Sequence, residues 1–154
     1  MTRATKPSAK CTVVVLDPAW RRALPGAERL VRKAARAAVG AKARSLTVAL
    51  ADDRRVRVLN ARDRKTDKPT NVLSYPSGEK SFLGDVVLAR QTVWREAKEQ
   101  KKTLADHLVH LVVHGTLHLL GHDHETGDAD AERMEALERR ILKRLGIADP
   151  YEAR

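Results

Sequence analysis

Between Leu104 and Leu120 the chain carries leucine or valine at positions 104, 108, 109, 111, 112, 113, 117, 119 and 120. The spacing is helical, and apolar residues cover most of the helix surface. Such a helix must be buried, so the rest of the chain has to fold around it. Its only consistently polar stripe is His107, His110, His114 and His118. That stripe either lines the floor of a cleft or is itself enclosed. Thr103, with Asp106 following, resembles a capping box at the helix start. Gly121 is a residue that can end the helix and turn the chain back.

All six histidines fall between positions 107 and 124. His114 and His118 stand one helical turn apart, with a rise of roughly 6 Å between them. One tetrahedral metal can take both imidazoles, and His124 can arrive from beyond the turn as a third ligand. Three protein ligands leave a fourth position open, the arrangement of a catalytic zinc. A lone histidine on an apolar helix is usually a hydrogen-bonded core residue, but that reading must here explain a pair, a turn glycine and a third histidine together. For His107 and His110 it stands: they are donors behind the ligands or simple packing. Asp123 is read as a carboxylate that orients a ligand imidazole, or as a turn residue; His122 is read as surface.

Residues 114 to 124 match the extended zinc-protease signature H-E-x-x-H-x-x-G-x-x-H except at its glutamate, where Gly115 stands. That glutamate is the general base of the proteases. Without it, water must be activated differently or the substrate must bring its own nucleophile, as RNA does with its 2′-hydroxyl.

The flanking pattern gives an α+β fold, a small mixed sheet of about four strands packed with about five helices, with the metal site on the central histidine-bearing helix. Strands are expected at Thr12–Leu16, Leu46–Leu50, Val72–Tyr75 and Leu83–Leu88, the last two joined by a turn from Pro76 to Lys80. The first two strands, with a helix over Ala27–Val39 between them, form a parallel β-α-β unit. Further helices are expected at Asp52–Asn60, Arg90–Lys101 and from Met134 through Leu145. Residues 1–10 read as a flexible basic tail and 11–154 as one domain. The single Cys11 excludes an internal disulfide and suits a reducing cytoplasm. No apolar run is long enough to span a membrane.

Lysine and arginine number 30 against 20 aspartate and glutamate, a formal charge of +10. Such a surface favours a polyanionic partner, nucleic acid or a ribonucleoprotein. Aromatics are only 3% of residues, which favours backbone and shape contacts over base stacking. The cationic segment LNARDRKTDKPTNVLSYP (59 to 76) runs into a strand. Its lysines read as solvated loop residues. Arg64 differs, because a guanidinium can grip a phosphate with two hydrogen bonds.

This segment, LGDVVLARQTVWREA (83 to 97), HLVHLVVHGTLHLLGHDH (107 to 124) and the MEALE run from Met134 together resemble the YbeY family, bacterial zinc-dependent endoribonucleases of ribosomal RNA maturation. The resemblance implies one zinc ion held by His114, His118 and His124, and an Arg64 near the metal that activity requires. It implies single-strand-specific cleavage of RNA, chiefly at the 3′ end of small-subunit ribosomal RNA. Association with the small ribosomal subunit and its assembly factors follows from the same source. Lys68, Asn71 and Ser74 are candidate substrate-binding residues; for Asn71 and Ser74, strand-start packing is an equal reading. Tyr75 stands where the family pattern has Phe, and His122 where it has Tyr. Two rival functions remain: a zinc hydrolase of the metalloprotease type, and a zinc-containing ribosome-assembly factor without nuclease activity.

Overall fold

The computed structural model describes residues 9–64, 70–122 and 127–152, with Arg64 described by its backbone alone. Its strands are β1 (Lys10–Val15), β2 (Ser45–Ala51), β3 (Val72–Pro76) and β4 (Phe82–Ala89). Its helices are α1 (Ala19–Ala23), α2 (Ala27–Val39), α3 (Asp53–Arg64), α4 (Arg90–Glu99), α5 (Leu104–Leu119) and α6 (Asp128–Arg144). The sheet order is β1-β2-β4-β3, with β1, β2 and β4 parallel and β3 antiparallel to β4. The mixed sheet of four strands agrees with the sequence pattern.

The described residues hold six helices, in line with the expected number of about five. The extra one, α1, is five residues long, too short to show a period. It is anchored by the fully buried Trp20, whose indole N–H donates to the Ala51 carbonyl at 2.8 Å. Lys10, the last residue of the segment read as a tail, opens β1, and Ala9 beside it is buried. Residues 1–8 lie outside the described part.

The sheet separates two cores. The larger contains α5, whose Leu108, Val112, Val113 and Leu117 have no exposed surface. α2 packs against it through Val31, Ala34, Ala35 and Ala38, small side chains that let two helices approach closely. Fully burying a leucine or valine contributes roughly 2 kcal/mol, so these contacts fix α5 in place. On the opposite side, Val56 of α3 packs with Leu73, Val87 and Ala89, and Tyr75 lies against that smaller cluster. Alternation along β4 explains the division: Val86 and Leu88 serve one face, Val87 and Ala89 the other.

α5 starts and stops as its sequence dictates. The Thr103 hydroxyl accepts from the Asp106 N–H at 3.1 Å. At the far end Gly121 has φ +97°, a left-handed conformation suited to glycine, and the His122 N–H reaches the Leu117 carbonyl at 3.0 Å. Among the described residues, no helix is long and apolar enough to cross a membrane.

Candidate metal centre

The histidine stripe of α5 meets two carboxylates, one at its first residue and one at its middle. His107 is buried, and its Nε2 lies 2.9 Å from Glu96 Oε1 of α4. The same oxygen accepts from the Asn71 side-chain amide at 2.9 Å. Burial alone would raise the Glu96 pKa, but these hydrogen bonds hold it below the usual value. Asn71 therefore ties the entrance of β3 to α4 and α5.

Glu138 of α6 receives the middle of the stripe. Its side chain has no exposed surface. His110 Nε2 donates to Glu138 Oε2 at 3.1 Å, the Tyr151 hydroxyl donates to the same oxygen at 2.5 Å, and His114 Nδ1 bonds to Oε1. Burial would raise the Glu138 carboxyl, yet the donors from His110, His114 and Tyr151 bring it down to about 2. Burial, its largest cause, pushes the His110 pKa down against the pull of Glu138. An ionised carboxylate only accepts, so His114 must carry a proton on Nδ1, and in the neutral ring the lone pair is then on Nε2.

His114 Nε2 lies 3.0 Å from His118 Nε2, with the rings inclined at 75°. Two nitrogens held 2.0–2.1 Å from one tetrahedral ion would stand roughly 3.3 Å apart. The pair therefore has the separation that shared ligation requires, and Glu138 supplies the carboxylate–histidine support typical of metal ligands. A second combination is available: the donor atoms of His110, His114 and Glu138 lie within 4.8 Å of one another and could hold a metal ion. In that set the carboxylate oxygens and the His110 and His114 nitrogens already satisfy each other. His124, Asp123 and Lys68 lie outside the described residues, as does the side chain of Arg64, which closes α3. His122 is exposed.

Gly115 has a steric cause. A Cβ there would stand 2.8 Å from Val86 Cγ1 and 3.2 Å from Ser74 Oγ. Ser74 donates to the Gly115 carbonyl at 3.1 Å, tying β3 to α5. Position 115 thus faces the sheet at contact distance, and any larger side chain there must displace the Val86 and Ser74 side chains.

The sequence reading missed Glu138 and Tyr151. Glu138 was legible in principle, as a charge on the apolar stripe of Met134, Leu137, Ile141 and Leu142. Tyr151 gave no comparable signal.

The Endoribonuclease YbeY family model matches residues 20–146. A protein of that name from Azorhizobium caulinodans is 51% identical over 151 residues, covering 90% of this chain and 94% of the relative. One from Chelativorans sp. is 53% identical over 131 residues, 80% of each. The solution structure of TM1509 from Thermotoga maritima superposes with a TM-score of 0.56 at 22% identity, over 93% of this chain and 99% of that one, and shares the fold.

Proposed function

The chain belongs to the Endoribonuclease YbeY family, and from that premise we propose that it is a zinc-dependent, single-strand-specific endoribonuclease maturing the 3′ end of small-subunit ribosomal RNA in the cytoplasm. The observation that carries the site assignment is the facing pair His114 Nε2 and His118 Nε2, 3.0 Å apart, with Glu138 on the other side of His114.

In this reading His114, His118 and His124 hold the ion. When bound, zinc supplies Lewis acidity that neutralises charge on the scissile phosphate and lowers the pKa of a water. Glu138 keeps the His114 proton on Nδ1, with His110 and Tyr151 fixing the carboxylate. Asp123 supports a ligand in the same way. Arg64 clamps the phosphate and stabilises its developing charge. Lys68 attracts the RNA backbone. Asn71 spends its amide N–H on Glu96 and offers its amide oxygen to a ribose hydroxyl. Ser74 holds Gly115 and accepts from the strand passing over it. The small ribosomal subunit and its assembly factors present the substrate.

The peptidase alternative is disfavoured by Gly115, where the base required by that chemistry has no room. The decisive assay is cleavage of a precursor small-subunit ribosomal RNA 3′ fragment by wild-type protein, chelated protein, zinc-restored protein and a folded His118→Ala variant. Cleavage should vanish with the metal, return with zinc and be absent from the variant. A cyclic phosphate product would assign attack to the 2′-hydroxyl, a 5′-phosphate to water. A zinc-loaded, folded wild type that leaves this RNA intact would instead favour the assembly factor.

A further inference from the structure

α3 carries more arginines than any other helix described here. It carries Arg54, Arg55, Arg57, Arg62 and Arg64 against Asp53 and Asp63. Both acids are engaged. Asp53 accepts the backbone N–H and hydroxyl of Thr92 at 2.9 and 2.8 Å. Asp63 accepts both Arg62 Nε and Nη2, at 2.7 and 3.0 Å. Arg54, Arg55, Arg57 and Arg62 are exposed, and neither Arg54 nor Arg55 has an ion-pair partner among the described residues.

This surface is also grooved. Arg57, Val58, Ala61 and Arg62 line a depression of about 530 Å³. A second, of about 690 Å³, is lined by Asp63, Ser74, Tyr75 and Pro76. Arg62 of the first is hydrogen-bonded to Asp63 of the second, and the Tyr75 hydroxyl donates to Asp63 at 3.0 Å. The second depression reaches Ser74, whose hydroxyl bonds to the residue after His114.

We propose that the outer face of α3 is a track for the single-stranded RNA that flanks the scissile bond, with Arg54, Arg55, Arg57 and Arg62 contacting successive phosphates. The proposal rests on the endoribonuclease reading and extends it along α3, beyond the residues assigned to the metal and the scissile phosphate. Continuity selects the occupant: a polymer lying in the Ser74 cleft passes next over Arg62. From Arg54 to Arg62 the helix rises about 12 Å, a length suited to several nucleotides. Val58 is the one large apolar side chain exposed on α3, at 58%, too little for the apolar anchor of a protein interface.

The test is the salt dependence of binding to a labelled 20-nucleotide single-stranded RNA, read by anisotropy at 4 °C before turnover. Arg54→Gln/Arg55→Gln is compared with Arg29→Gln/Lys33→Gln on α2, which removes equal charge elsewhere. Loss of two phosphate contacts should make the slope of log K against log salt shallower by about 1.4. The α2 control should leave it unchanged, and zinc content should be unchanged in both. Equal slopes in all three proteins, or equal losses in both variants, would overturn the track. So would an α3 variant that loses binding to an acidic peptide while keeping its RNA slope. A wild type that neither binds nor cleaves RNA would instead bring down the functional reading itself.

Discussion

Glu138→Gln is the sharpest perturbation of the centre. The carboxylate accepts from His110, His114 and Tyr151. Glutamine keeps one acceptor oxygen and turns two N–H groups toward the other donors. If the amide N–H₂ faces His114, that ring must move its proton to Nε2, removing the lone pair that the proposed metal site needs. If it faces His110 and Tyr151, His110 must protonate Nδ1, which is buried without a hydrogen-bond partner, and the tyrosine must turn. Either way two charge-assisted bonds are weakened or lost. At roughly 1–3 kcal/mol per buried group left unsatisfied, offset by relief of a buried charge, the apoprotein should lose about 1–3 kcal/mol. Zinc affinity should fall about 10–100-fold. Chelator competition reads the affinity and urea unfolding the stability. His110→Asn separates the two donor sets: with His114, His118 and His124 as ligands it costs less than Glu138→Gln, whereas in the His110–His114–Glu138 set it abolishes binding. Zinc affinity within twofold of wild type in Glu138→Gln would refute the tautomer argument.

Other outcomes follow from the same geometry. Glu138 titrates at about 2 instead of 4.5; a depressed acid pKa adds stability above 4.5 that disappears as pH falls toward 2, on the order of 3 kcal/mol. Acid unfolding of the metal-free protein should show this loss, and Glu138→Gln should lack it. Gly115→Ala gains about 1 kcal/mol of helix propensity but pushes on Val86 at 2.8 Å, at an overpacking cost of about 1–3 kcal/mol. A net loss of up to about 2 kcal/mol should appear in urea unfolding and shrink on adding Val86→Ala; a stabilised Gly115→Ala would contradict the packing. Burial pushes the Cys11 thiol up to about 11, so iodoacetamide should modify it only after unfolding, and rapid native alkylation by mass spectrometry would show otherwise.

Periodic features were legible in the sequence. The Ala27–Val39 helix, the four strands and the cap at Thr103 sit where apolar spacing and side-chain chemistry put them. α1 was hidden because one tryptophan cannot define a period. The His114–His118 pairing follows from helix geometry alone. What Glu138 does required the tertiary fold: a carboxylate on an apolar stripe announces a partner, but α5 and α6 must pack before the partner is known. Gly115 was visible as a departure from the protease pattern, while its reason, the side chain of Val86 on β4, lies far away in sequence.

The helix that carries His114 and His118 is also the one that closes the larger core. That union makes the centre preorganised. Val112, Val113 and Leu117 are sealed against α2 and the sheet, so two of the proposed ligands are held at working separation by hydrophobic burial before any ion arrives. Metal binding to these two histidines then needs no folding of α5, unlike in small zinc modules that fold only around their ion. Its signature should include little change in the helix content of α5. Withdrawing an ion from this site should therefore leave α5 and the larger core standing, with the two histidines still paired.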